Sequence, residues 1–152
     1  RGIEEMEMKK LMFDFANLFL VLIILNIILH YFIPIKQIIF FPYKYIGILL
    51  FILGWIPNIW LGITKGPSLA HQIPKKLITI GLFRFSRNPN YLGMVVALLG
   101  EAIFLGSLIT FIIPILFVIL INKFNTNFEE EILEKKFGKR YLNYKKRVRR
   151  WI

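Results

Sequence analysis

Polar positions are so sparse between residues 15 and 33 that only Asn17, Asn26 and His30 interrupt an otherwise apolar run. Those nineteen residues form about 28 Å of α-helix, close to a hydrocarbon core of roughly 30 Å. The pattern predicts a first transmembrane helix. A short interfacial helix is expected before it, over 3–14, where acids mix with Lys9 and Lys10. The apolar run is too long for a cleaved signal peptide, and Tyr31-Phe32-Ile33-Pro34 offers no small-residue cleavage site. Residues 34–44 carry Pro34, Pro42, Lys36 and Lys44, which predicts a tight turn at the headgroup level. A second crossing follows over 45–63. In it Gly47 and Gly54 are seven residues apart on one face, where missing side chains let a neighbouring backbone approach. The interval 64–90 is the longest polar one and is broken by Gly66, Pro67, Pro74, Gly81 and Pro89, so a functional loop is expected. A third apolar helix over 91–106, a reversal at Gly106-Ser107 and a fourth helix over 108–121 complete the pattern. The fourth is expected to continue into the polar segment after Asn122.

Composition and charge change how these helices are read. The chain has 152 residues, of which 57% are hydrophobic, with 20 Lys and Arg against 9 Asp and Glu. Soluble domains use about 45–50% apolar residues, so the bilayer is the expected solvent for the excess. A net charge of +11 then points to anionic lipid headgroups, not to nucleic acid. Absence of cysteine excludes disulfides, thiolate metal sites, a Cys nucleophile and attached palmitate. Eighteen of the basic residues precede the first helix or follow the second and fourth, and two lie in the connector after the first. Lys and Arg in short flanking segments set orientation, so four crossings with both termini cytoplasmic account for the whole distribution. The expected architecture is an all-α, polytopic membrane helical bundle in a single domain, 1–152, with about four transmembrane helices and an amphipathic cytoplasmic C-terminal helix. Within it, 15–63 form a helix hairpin and 64–152 the catalytic part. In the C-terminal segment Glu130, Leu133, Phe137, Tyr141, Tyr144 and Val148 follow steps of three and four, whereas Lys139, Arg140, Asn143 and Arg147 fall off that face. Gly138 is placed to bend or end a helix there.

Two constellations can carry chemistry. The first is Gly81-Leu82-Phe83-Arg84-Phe85-Ser86-Arg87-Asn88-Pro89-Asn90-Tyr91-Leu92-Gly93, where a cytoplasmic loop runs into a membrane helix. Pro89 suits the first turn of that helix, and Arg87 and Asn88 would stand beside exposed backbone donors that attract a carboxylate or phosphate. An ordinary helix start flanked by topology-setting arginines reads the same way. The second is Glu129-Glu130-Glu131, soon after the fourth helix. Glu130 shares a face with apolar and aromatic residues, so a cationic ligand group, Arg84 or Arg87 would be needed to neutralise it; a solvated acidic cluster balancing the basic tail is the plainer alternative. Glu101, inside the third helix, is expected to reach the opposite headgroup layer near the Gly106-Ser107 reversal; a protonated carboxyl or one that faces the bundle is the alternative. His30 and His71 lie far apart with no second ligand nearby, and no metal site is expected. Phosphate-loop, Ser-His-Asp and H-E-x-x-H patterns are missing, which leaves hydrolase and zinc-protease readings without residues.

Taken together, G-x-x-R-x-x-R-N-P-x-Y-x-G and, some thirty-five residues on, E-E-x-x-L-x-x-x-F-G-x-x-Y-x-x-Y resemble the isoprenylcysteine carboxyl methyltransferase and phospholipid methyltransferase superfamily. The first motif there usually reads R-H-P-x-Y-x-G; here Asn88 stands in place of the His, a variant associated with bacterial, archaeal and phospholipid-type members. The resemblance implies an integral-membrane methyltransferase that uses S-adenosylmethionine and leaves S-adenosylhomocysteine. Carried over position by position, it implies a cofactor site of Gly81, Arg87, Asn88, Tyr91, Leu92, Gly93, Glu129, Glu130 and Tyr141. Arg84, Arg87 and Glu130 are the expected catalytic residues. The expected partners are the bilayer and a lipophilic or small acceptor presenting a carboxylate, amine or thiol, which would enter sideways between the second helix and the hairpin that follows. Two other readings stay open: a small NADPH-dependent, sterol-reductase-like enzyme, and a non-enzymatic membrane protein whose polybasic tail binds lipids or a partner.

Overall fold

The computed structural model describes residues 2–33, 35–65 and 76–152, with residues 2–16, 64, 65 and 125 described by backbone alone. Arg1, Pro34 and the stretch 66–75, which holds His71 and ten residues of the expected functional loop, lie outside the described residues.

Among the described residues six α-helices follow in chain order: α1 Gly2–Phe32, α2 Lys44–Lys65, α3 Pro89–Leu105, α4 Ile112–Leu120, α5 Asn127–Phe137 and α6 Lys139–Arg147. Among the described residues there is no strand, only an isolated bridge between Gln37 and Ser107. The separate interfacial helix expected over 3–14 does not form; α1 is one helix of 31 residues. No Gly or Pro stands between Ile3 and Phe32, and a change from polar to apolar side chains alters a helix's solvent without breaking its backbone hydrogen bonds.

The Gly47 and Gly54 face of α2 packs on α3, as its small residues predict. A Cβ built on Gly47 would stand 2.5 Å from the carbonyl oxygen of Gly100, and one on Gly54 would stand 2.6 Å from that of Gly93. The two backbones therefore touch at two levels a pair of turns apart, as small residues permit in apolar surroundings. That contact closes the α2–α3 seam at those two levels. α3 ends at Gly106, whose left-handed φ of 79° and bond from its N–H to the Ala102 carbonyl (2.9 Å) make the expected reversal.

Beyond the reversal a single helical run, Leu108–Phe137, joins a 3₁₀ turn at Leu108–Phe111 to α4, a π-helical turn at Ile121–Thr126 and α5. Phe19 and Leu22 of α1, Ala97 and Leu98 of α3, and Ile113, Phe117 and Ile121 of the run form the core. The outward sides stay apolar: Ile24, Leu49, Ile52, Ile115 and Ile119 are all more than half exposed. So much exposed hydrocarbon on helices is expected where lipid replaces water. The runs Lys44–Ile63 and Leu108–Phe137 are long and apolar enough to cross a membrane, and Asn17–Phe32 and Pro89–Leu105 are shorter apolar helices.

Glu101 departs from expectation. It is 7% exposed and accepts a 3.2 Å hydrogen bond from the Asn26 side chain, facing α1 and not the far headgroups. A polar residue on α1 at the matching level gives the carboxyl a donor that the apolar neighbours of α3 lack. The C-terminal face also takes a different form. Gly138, at φ 52° and ψ −127°, divides it between α5 and α6, yet Glu130, Tyr141 and Tyr144 are buried while Lys139, Arg140, Asn143 and Arg147 are exposed.

Candidate functional site

The approach to α3 is built tightly. Gly81, at φ 64°, opens a 3₁₀ turn, Gly81–Arg84, and a Cβ there would lie 2.6 Å from the Trp60 ring. Both the left-handed backbone and the indole require glycine. Pro89 occupies the first turn of α3, as expected, but the Asn88 side chain does not cap the helix. Its backbone N–H instead donates to Ser86 Oγ (3.1 Å), and its side-chain amide donates to the Arg150 carbonyl (3.5 Å). Ser86 Oγ donates to that same carbonyl (3.1 Å), and the Arg87 N–H donates to the Arg149 carbonyl (3.1 Å). The last residues of the chain thus lie along the loop as a strap.

From this loop Arg87, its side chain 10% exposed, reaches Glu130 at 3.2 Å. Glu130 itself is 5% exposed and is held by two more cations. Arg150 donates in a fork, Nε to Oε1 at 2.9 Å and Nη2 to Oε2 at 3.1 Å, and Lys145 Nζ lies 3.2 Å from Oε2. A buried carboxylate is tolerated when charged donors satisfy both oxygens, as here. Glu129 is engaged differently, accepting a 2.7 Å hydrogen bond from the Tyr91 hydroxyl. α6 closes the site: the Tyr144 hydroxyl donates to the Phe83 carbonyl (2.7 Å), and Tyr141 is 1% exposed. Burial, reinforced by the Glu130 charge, pushes the Tyr141 phenol up to about 12, with Arg87 working the other way. Burial and the adjacent Tyr141 push Tyr144 up to about 12 as well. Both rings are neutral at ordinary pH.

Arg87, Asn88, Tyr91, Glu129, Glu130 and Tyr141 therefore converge from two segments distant in sequence. The remaining expected residues sit at the edge or elsewhere. Arg84 is exposed at the end of the 3₁₀ turn, Leu92 is half-buried with its N–H on the Asn88 carbonyl, and Gly93 faces α2, its Cβ position 2.5 Å from the Gly54 carbonyl oxygen. Helix packing is what the structure accounts for in Gly93. Sequence reasoning did not single out Ser86, Lys145 and Arg150. The only signal for the last two was the density of basic residues after Lys139, which does not say which of them turns inward. An open cleft of about 380 Å³ lies on their side of Glu130, lined by Asn127, Glu131, Glu134 and Lys135 besides Glu130, Lys145 and Arg150. Among the described residues no three His, Asp or Glu side chains gather as a metal set.

With this geometry in view, comparison with known proteins is informative. Residues 43–140 match the family model described as phospholipid methyltransferase. An uncharacterised protein of Haemophilus influenzae is 40% identical over 62 residues, covering 41% of this chain and 98% of that protein. Protein-S-isoprenylcysteine O-methyltransferase B of Arabidopsis thaliana is 30% identical over 130 residues, covering 75% of this chain and 64% of that one. Protein-S-isoprenylcysteine O-methyltransferase of Schizosaccharomyces pombe is 30% identical over 95 residues, 57% of this chain and 39% of that one. The chain thus spans less than two thirds of the length of either named methyltransferase. No solved structure matches it.

Proposed function

The chain belongs to the phospholipid methyltransferase family, and on that premise we propose that it is an integral-membrane enzyme transferring a methyl group from S-adenosylmethionine to a carboxylate, amine or thiol of a lipophilic or small acceptor. The observation that carries the reading is the meeting of the two motifs: Arg87 stands 3.2 Å from Glu130, and Tyr91 bonds Glu129 at 2.7 Å. No adjacency in sequence brings these groups together. The donor set fits such a cofactor. Its amino-acid end needs an anion and cations, which Glu130, Arg87, Lys145 and Arg150 provide; the rings of Tyr91 and Tyr141 stand beside them, buried at 9% and 1% exposure. The Nε of Arg87 is buried with no hydrogen-bond partner among the described residues, a donor left over for a ligand.

When bound, S-adenosylmethionine supplies an activated methyl group for in-line displacement. The chain's own task is alignment and exclusion of water, and alignment alone contributes about 7 to 11 kcal/mol. Tyr91 fixes Glu129, and the Arg150 fork fixes Glu130, so neither carboxylate spends its orientation freely. A carboxylate or thiolate acceptor arrives charged, and Arg84, exposed at the end of the 3₁₀ turn, is a cation that could orient it. An amine acceptor must lose a proton, which Glu129 or a water is better placed to accept than Glu130, whose carboxylate three cations hold ionised.

In the bilayer the reading has four crossings, α1, α2, α3 and the Leu108–Phe137 run, with both termini cytoplasmic. Support comes from the four apolar helices and from the eighteen basic residues on that side. Two measurements test this function. S-adenosylhomocysteine should raise the melting temperature of the detergent-solubilised protein, as ligand linkage requires, and NADPH should not. Labelled methyl groups should then pass to one member of a panel of prenylcysteine, ethanolamine-lipid and thiol acceptors. No shift and no transfer would overturn the reading, and labelling of Lys44 from the cytoplasmic side would overturn the orientation.

A further inference from the structure

The loop before α3 and the C-terminal strap turn two arginines inward and two outward. Residues 76–92 and 148–152 hold no Asp or Glu. Of their arginines, Arg87 and Arg150 meet Glu130. Arg84 and Arg149 are exposed, and among the described residues neither has an ion pair. The carboxylates of α5 are engaged with other groups: Glu129 with Tyr91, Glu130 with Arg87, Arg150 and Lys145, Glu131 with Lys135 at 2.9 Å and Glu134 with Lys145 at 3.7 Å.

Apolar side chains accompany the outward pair. Phe85 and Ile152 are 76% and 78% exposed, and Ile80, at the other end of the 3₁₀ turn, is 71% exposed. Ser86 Oγ on the Arg150 carbonyl and the Arg87 N–H on the Arg149 carbonyl bring the Arg84-Phe85 corner beside the strap. The level of this corner decides what it meets. Gly81 lies against the Trp60 ring, and Trp60 stands three residues before the apolar run Lys44–Ile63 ends, about 4.5 Å of helix. Trp151, between Arg150 and Ile152, packs against the core of α1, α3 and the Leu108–Phe137 run. Indole rings favour the boundary between hydrocarbon and headgroups, so loop and strap lie at that boundary. Exposed apolar side chains gain nothing from water, and guanidinium groups are costly in hydrocarbon. The headgroup layer accommodates both.

We propose that Arg84, Phe85, Arg149 and Ile152 form a docking surface for anionic phospholipid headgroups, the arginines taking phosphates and the two apolar side chains entering the acyl boundary. Ile80 extends it along the loop. Apolar side chains interleaved with cations fit a lipid surface better than a soluble polyanion, and a zwitterionic headgroup would leave both charges unbalanced. The Arg149 and Arg150 carbonyls hold Arg87, Ser86 and Asn88, so lipid that grips the outer side of the strap also steadies the wall of the site. The inference rests on the membrane reading of the helices and not on the reaction.

Because the chain has no cysteine, single Cys variants can carry a spin label in the full chain, reconstituted in phosphatidylcholine with and without phosphatidylglycerol. Labels at Phe85→Cys and Ile152→Cys should be shielded from a water-soluble nickel relaxant. Exposed Ile52→Cys supplies the hydrocarbon reference and exposed Lys139→Cys the aqueous one. Spin-labelled phosphatidylglycerol should associate with the cysteine-free chain more strongly than spin-labelled phosphatidylcholine. Arg84→Gln and Arg149→Gln should each reduce that preference about two- to fivefold, the upper figure being one cation's attraction to an anionic surface. Melting curves establish that each variant is folded. Labels at 85 and 152 as open to nickel as the one at 139 would overturn the proposal. So would a loss as large in Lys139→Gln, which would trace the preference to net charge, or arginine variants that lose affinity for a polyglutamate peptide and not for the lipid. A label at Ile52→Cys open to nickel would instead overturn the membrane reading, a separate result.

Discussion

The Tyr91 hydroxyl donates a 2.7 Å hydrogen bond to Glu129 Oε1, joining the first turn of α3 to the first turn of α5 across 38 positions of sequence. A bond to a charged acceptor in a part-buried place contributes about 1.5 to 3 kcal/mol. Tyr91→Phe should therefore lower the melting temperature and weaken S-adenosylhomocysteine binding together. Thermal melting and titration on the same sample check both, and an unchanged affinity would mean that Glu129 needs no positioning.

Glu130→Ala removes the anion on which Arg87, Lys145 and Arg150 converge. Breaking a buried pair by deleting one partner costs about 3 to 5 kcal/mol. The lower end is expected here, because Lys145 and Arg150 are a third exposed and can rehydrate, leaving Arg87 as the stranded charge. Glu130→Gln should fall between the two. Denaturant unfolding measures the cost, and loss of the ligand-induced melting shift should accompany it.

Alkaline titration separates the tyrosines. In an unfolded chain a phenol ionises near 10, whereas Tyr141 and Tyr144 hold their protons up to about 12. Below 10 the folded and unfolded states bind the same protons at these rings. Between 10 and 12 the unfolded state has lost them and the folded state has not, so the stability these phenols contribute drains away as pH climbs through that window. Ultraviolet phenolate absorption should show Tyr141 and Tyr144 ionising late. In Tyr141→Phe and Tyr144→Phe the fall of the melting temperature above pH 10 should be shallower.

Gly93 tests packing against ligand contact. Its Cβ position lies 2.5 Å from the Gly54 carbonyl oxygen, backbone that cannot swing aside. Gly93→Ala should cost about 1 to 3 kcal/mol by overpacking. Affinity for S-adenosylhomocysteine in the folded fraction should be unchanged, which separate melting and titration experiments resolve. A large loss of affinity without loss of stability would instead put Gly93 in contact with the cofactor.

Much of this arrangement was legible in the residues because it depends on local rules. Pro89 marks the start of α3, Gly106 its end, and the spacing of Gly47 and Gly54 the face that meets a neighbour. A carboxylate on an apolar face calls for a cation, and the sequence offers Arg84, Arg87 or a cationic ligand group; the structure supplies Arg87. Other features depend on the path of the chain through space. Arg150 reaches Glu130 because the backbone turns at Gly138 and again at Val148, which leaves α6 in an extended conformation. No periodicity encodes those two dihedral choices. Glu101 was misplaced for a similar reason: its environment is set by Asn26, 75 residues earlier, through the docking of α1. The continuity of α1 past Asp14 is not legible in polarity, because the backbone recognises no boundary there.

The paired glycines of α2 and α3 also bear on how a greasy molecule could travel. Where carbonyl oxygens of one helix lie within reach of the bare α-carbons of the other, at Gly54 with Gly93 and at Gly47 with Gly100, an acyl or prenyl chain finds no doorway. At those two levels the seam is a wall and not a gate.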